Sequence, residues 1–244
     1  MSTPQRLKRF NLENEFKNLQ KLALRAAKEA ITETGLNNNV KIAGCFSPLP
    51  GSYFKDKSIS KKEMIETYLS IGELQKDDVD FFIIETMSSI DEAVNAVEAL
   101  SNFNKKILLC FCLSEGDGTK LFSGEDLSKA CDLIQIDKIS GLCLNCSQFE
   151  DISIGLDILK KYGLPFGALP NNFQSVKPLK LGMSVDNIKK RNDILIEDFV
   201  NYSNIWLKKG CTILGGCCEI TPDYINGLNQ FLMKNKYNKV NFFN

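Results

Sequence analysis

Short apolar segments rich in β-formers alternate with amphipathic helical segments almost from end to end of the chain, and this alternation constrains the fold more than any other feature. A first helix is predicted over Leu12 to Ala30, where Leu12, Phe16, Leu19, Ala23, Ala26 and Ala30 recur at three- and four-residue spacing and Gly35 follows as a stop. Strands are predicted over Val40 to Cys45, Val79 to Ile84, Lys106 to Leu113, Gly141 to Asn145, Pro165 to Leu169 and Cys211 to Leu214. Helices are predicted over Ser60 to Leu74, Ser89 to Leu100, Glu125 to Ile134, Glu150 to Tyr162 and Asp193 to Lys209, and from Thr221 and Pro222 onward. Ser60 with Glu63, and Ser89 with Glu92, read as capping boxes. Glu115 to Gly118 and Pro170 to Asn187 read as loops, and the tail from Lys234 is polar.

Strands that are apolar throughout and are each followed by a helix belong to a parallel sheet covered by helices. No Gly-rich phosphate turn follows the first strand, which argues against a doubly wound sheet. Six strands and seven helices, with a helix first, fit an eightfold TIM-type β/α barrel that lacks its first strand, first helix and second strand. The expected organisation is one domain over residues 1–244. The strands at Val40 and Cys211 then lack their usual neighbours. Six strands would close around too small a lumen, since eight only just fill theirs. The expectation is an open, C-shaped sheet with self-association or a completing segment at the gap.

Thirty basic residues balance thirty acidic ones without a long run of either sign, so no footprint for nucleic acid or an anionic membrane is expected. No apolar run approaches the roughly 20 residues that span a bilayer. Residues 1–10 are polar and basic, so no secretory leader is expected. Nine cysteines in such a chain suggest a reducing, cytoplasmic compartment. The chain has no histidine, which removes Ser-His and Cys-His nucleophile pairs, imidazole acid–base chemistry and every His-containing metal site.

Two predicted strands end in cysteine, at the end where β/α barrels place their chemistry. One reads GLCLNC and ends at Cys146; the other reads CTILGGCC and ends at Cys217 and Cys218. Adjacent strand residues face opposite sides. Gly215 and Gly216 relax the backbone here, so both sulfurs can turn to one point. Three thiolates without a fourth protein ligand are the pattern of an open zinc site. Core filling is the competing reading, because buried cysteines are common. Cys143 and Cys146 also form a CxxC, but odd spacing sends Cys143 to the other face. Cys143, Cys45, Cys110, Cys112, Cys131 and Cys211 read as structural.

At these residues the chain resembles the homocysteine S-methyltransferase family. GCTILGGCCEITPDYINGL, from Gly210 to Leu228, is similar to the family's last strand, its second and third zinc ligands and its last helix. GLCLNC is similar to the strand carrying the first ligand, and the likeness continues through DVDFFIIETM, the GCFSPLPGSY loop and the first helix. The resemblance implies Zn2+ held by Cys146, Cys217 and Cys218. It also implies methyl transfer to homocysteine, giving methionine, from an activated donor such as S-methylmethionine, S-adenosylmethionine or a betaine-like compound. Three residues are the expected substrate-binding groups. Glu85 matches the family's ET, which contacts the amino group of homocysteine. Asn171 matches a PN segment near the site, and Asn145 orients the metal loop or caps the strand end. The departure is N-terminal: the family's first strand and Gly-rich loop, which help hold homocysteine, have no counterpart here. A catalytically defective barrel that binds zinc or a thiol, or serves as an interaction subunit, is therefore the alternative.

Overall fold

The computed structural model describes residues 2–36, 40–53, 59–179, 181, 183 and 185–238. A short helix α1 (Pro4–Lys8) stands first, outside the predicted elements, with the Thr3 side chain accepting from the Arg6 N–H. Helix α2 (Phe16–Glu33) is followed by β1 (Ala43–Phe46), α3 (Lys61–Gln75), β2 (Phe81–Met87), α4 (Ile90–Leu100) and β3 (Ile107–Phe111). A hairpin, β4 (Leu113–Ser114) with β5 (Asp117–Leu121), replaces the expected loop around Glu115. Then come α5 (Leu127–Leu133), β6 (Gly141–Asn145), α6 (Phe149–Leu159), β7 (Phe166–Leu169), α7 (Ile196–Lys209), β8 (Ile213–Leu214) and α8 (Pro222–Lys234).

Of the two predicted capping boxes, the structure shows the serine half of one and neither half at the serine of the other. The Ser60 hydroxyl accepts from the Glu63 N–H at 3.2 Å. Ser89 makes no capping bond with its side chain, and the Ile90 N–H goes instead to the Glu125 carboxylate at 3.2 Å. A distant acid has taken over a local cap, which a sequence window cannot show.

Six strands form one parallel sheet in the order β1-β2-β3-β6-β7-β8. Among the described residues, β1 and β8 are each paired on one side only, so the barrel is open. The outer face of the sheet carries Phe46, Phe82, Ile84, Leu109, Leu142 and Leu144 into a continuous core with the helices. Phe149 stacks on Trp206 at 5.8 Å between α6 and α7. The inner face holds a smaller cluster of Leu108, Cys110 and Cys143, flanked by Phe81, Ile83 and Ile213. Cys110 and Cys143 are directly paired across β3 and β6. Their role as filler follows from strand alternation. Among the described residues no helix is long and apolar enough to cross a membrane.

Candidate metal and substrate site

The C-terminal ends of β1, β2, β6 and β8 open onto a cavity of about 510 Å³. Cys146, Cys217, Cys218, Glu85, Thr86 and Tyr53 are on its wall. The three cysteine sulfurs lie within 4.8 Å of one another, with Cys146 buried and the other two half-buried. Cys146 Sγ is 3.6 Å from Cys218 Sγ, which is 3.9 Å from Cys217 Sγ.

Local backbone geometry produces this convergence. Cys146 follows β6 directly, and alternation from Leu142 and Leu144 would send its side chain to the helix side of the sheet. Its φ of 50° breaks the alternation. The Cys217–Cys218 loop turns differently from the expectation. Gly215 and Gly216 have no positive φ; a Cβ at Gly216 would overlap the Ile220 side chain, so the glycine is needed for room. The left-handed residue is Glu219, at φ 63°. Four of the positive-φ non-glycine residues, Tyr53, Thr86, Cys146 and Glu219, lie in or beside this one site. Strained backbone of this kind persists where the surrounding structure over-determines it.

The segment after β7 splints the two cysteine loops. The Leu169 carbonyl accepts from the Cys146 N–H at 2.9 Å, and the Pro170 carbonyl accepts from the Cys217 N–H at 2.8 Å. The Asn172 N–H donates to the Cys218 carbonyl at 3.0 Å, and the Asn172 side chain is anchored on the Ile194 carbonyl and the Tyr224 hydroxyl.

Charge within the cluster is shared unevenly. Hydrogen bonds from Cys146 and Cys217 pull the Cys218 thiol down to about 3, while bonds to Cys146 and Cys218 push Cys217 well above the usual thiol range. Three soft anionic donors in one place fit a divalent, thiophilic metal ion.

Glu85 sits where β2 departs from regular pairing. The β2–β3 register shifts between Ile84 and Met87, and Thr86 has φ 60°. The strand thus runs three residues beyond its predicted end, through an irregularity that aims Glu85 at the cavity. The Cys45 thiol donates to the Glu85 carboxylate at 2.6 Å, so this supposed filler cysteine supports a cavity residue. Burial and the Glu85 carboxylate push that thiol well up.

Asn145 and Asn171 do not line the cavity. Asn145 is buried, and it grips Thr86: its Oδ1 accepts from the Thr86 N–H at 2.8 Å and its Nδ2 donates to the Thr86 hydroxyl at 3.0 Å. Its side chain steadies the turn beside Glu85, while its carbonyl accepts from the Ser147 hydroxyl at 3.0 Å in the loop after Cys146. Asn171 is buried as well, its Oδ1 accepting from the Phe173 N–H at 3.1 Å and its N–H donating to the Ser147 carbonyl. Asn145 spends both ends of its amide on Thr86 and Asn171 its Oδ1 on Phe173, and neither residue is among those that line the cavity.

Three features of the site escaped sequence reasoning. Tyr53 puts its hydroxyl 2.8 Å from Cys146 Sγ and packs on Phe122. Arg6 and Arg9 reach the cavity from α1 and its end. Leu179, Leu181, Met183 and Val185 supply an apolar wall. The last had a signal: every second residue from 179 to 185 is apolar.

An open parallel β/α sheet with three thiols gathered at its C-terminal end defines a β/α-barrel protein whose three clustered cysteines could hold a metal ion. The chain belongs to the homocysteine S-methyltransferase family, whose model matches residues 1–232. A selenocysteine methyltransferase of Astragalus bisulcatus is 28% identical over 160 residues, covering 63% of this chain and 45% of that protein. Homocysteine S-methyltransferase 2 of Zea mays is 29% identical over 161 residues, covering 64% and 45%. The chain thus spans about half the length of these relatives. The metallated crystal structure of the Escherichia coli homocysteine methyltransferase MmuM superposes with a TM-score of 0.72 at 22% identity, covering 94% of this chain and 76% of that one. At that identity the likeness shows the fold.

Proposed function

We propose that Cys146, Cys217 and Cys218 hold a zinc ion and that the protein transfers a methyl group from an activated donor to the sulfur of homocysteine, giving methionine. The observation that carries this reading is the convergence of the three sulfurs within 4.8 Å on a cavity that also presents Glu85. Thiolate donors favour zinc over magnesium or calcium, and three protein ligands leave a position for a substrate sulfur. Zinc bound there supplies a substrate thiol that is ionised near neutral pH. A chain without histidine needs such a device, because it has no imidazole base.

Glu85 accepts from the substrate ammonium, and Cys45 and Asn145 keep its carboxylate and its backbone in place. The substrate sulfur attacks the methyl carbon of a sulfonium or quaternary ammonium donor. A sulfur–carbon bond forms as the donor's bond to that carbon breaks. The electron pair stays on the donor atom, which leaves as a neutral thioether or tertiary amine. The step cancels an anion against a cation.

The test is metal analysis of the purified protein, with methionine formation from L-homocysteine and S-methylmethionine as the second readout. About one zinc per chain is expected, and Cys217→Ala should lose it together with activity. Stoichiometric zinc in that variant would refute the site. The open sheet favours a second reading, a barrel that binds zinc and the thiol without turnover. Homocysteine binding to the zinc protein with no methionine formed would establish it.

A further inference from the structure

The cavity that holds the cysteines and Glu85 also receives two arginines from the N-terminal segment, Arg6 and Arg9. Both are pinned to the loop after β1: Arg6 Nη2 donates to the Pro48 carbonyl at 3.0 Å, and Arg9 Nη2 donates to the Pro50 carbonyl at 2.6 Å. A guanidinium carries five donors, so each keeps most of its capacity. Arg6 Nε is buried without an acceptor. Among the described residues neither arginine forms an ion pair. Burial and the neighbouring Arg9 charge make the Arg6 proton less tightly held than usual. Two like charges are thus fixed side by side at a partly desolvated wall, where the nearby Glu92 carboxylate offsets the burial of Arg6 only in part and Arg6 remains destabilised by burial and by Arg9.

We infer that Arg6 and Arg9 form the subsite for the α-carboxylate of an amino-acid substrate in this cavity. The inference rests on the thiol reading of the cysteines given above. An amino acid bound by its sulfur at the three cysteines presents an ammonium and a carboxylate further along its chain. Glu85 complements the first group, and the arginine pair complements the second with a planar fork suited to two carboxylate oxygens. The loop that carries the pair's anchors also carries Tyr53, which bonds Cys146, so the two ends of the cavity are held by one segment.

Sulfonium donors of the methionine type carry the same carboxylate, and the experiment separates the two sources. Zinc-loaded protein, wild type and the Arg6→Gln, Arg9→Gln and Arg6→Lys variants, is titrated calorimetrically with four compounds. They are L-homocysteine, 3-aminopropane-1-thiol (homocysteine without its carboxylate), S-methylmethionine and its decarboxylated sulfonium. Each Arg→Gln change should weaken L-homocysteine about 10- to 100-fold and leave 3-aminopropane-1-thiol unchanged, with Arg6→Lys intermediate. A fall confined to S-methylmethionine, spared in its decarboxylated form, assigns the same subsite to the donor. Equal weakening of acid and decarboxylated compounds marks a structural role and overturns the inference, as does wild-type affinity for both amino acids in the variants. Failure of the wild-type zinc protein to bind either thiol removes the thiol reading itself and this inference with it.

Discussion

The phenol oxygen of Tyr53 stands 2.8 Å from the sulfur of Cys146, across 93 residues of chain. Both residues have left-handed backbone, at φ 68° and 50°. Each loop is therefore bent toward the other, and the hydroxyl meets one of the three sulfurs. Groups that hydrogen-bond a metal ligand orient it and tune its affinity. Tyr53→Phe should leave the fold intact and weaken zinc by about 10-fold, read by competition with a chromogenic chelator. An unchanged affinity would make the contact dispensable.

Glu85 is expected to act on the substrate and to leave the metal alone. Glu85→Gln should keep about one zinc per chain and lower homocysteine affinity by about 10-fold or more, since hydrogen bonds to charged groups contribute about 1.5–3 kcal/mol. Metal loss in this variant would place Glu85 in the coordination sphere.

Asn145 binds Thr86 through two buried hydrogen bonds at 2.8 and 3.0 Å. Asn145→Ala strands the Thr86 N–H, which should cost about 1–3 kcal/mol. The melting temperature should fall by roughly 2–4 °C per kcal/mol for a chain of this size. Homocysteine affinity should drop too, because the turn beside Glu85 loses its support. Unaltered stability would show that Thr86 finds another partner.

Arg191 grips Glu150 with both ends of its fork, each N–O distance 2.8 Å, and so ties the long loop after β7 to the start of α6. The Arg191 guanidinium holds the Glu150 carboxyl below the usual carboxylate range. A depressed folded-state pKa contributes stability above the unfolded value of about 4.3, and that stability is lost as pH falls through the folded one. Acid unfolding below about pH 4 should therefore be steeper for the native chain than for Glu150→Gln, followed by circular dichroism. Coincident curves would rule out a contribution from this pair.

The order of strands and helices was legible because each element announces itself locally. An apolar run such as Gly141 to Asn145 or a periodic face such as Phe16 to Ala30 is complete within one window of residues, and β6 (Gly141–Asn145) matches its prediction end for end. The strand C-termini follow from the same pattern, and with them the positions of Cys146, Cys217 and Cys218. The alternation of Leu142, Cys143 and Leu144 also assigned the filler correctly.

Tertiary structure alone decided what the polar side chains do. Asn145 reads as a strand-end amide until Thr86, 59 residues earlier, supplies both of its partners. Cys45 reads as filler until the β1–β2 pairing sets it beside Glu85. Tyr53, Arg6 and Arg9 lie in segments with no periodic signal, and the cavity gathers them from distant parts of the chain. Apolar periodicity reports which face is buried, a property of neighbours three or four residues apart. A hydrogen bond or an ion pair depends on which donor meets which acceptor, and only the packed sheet and its loops bring those atoms within 3 Å.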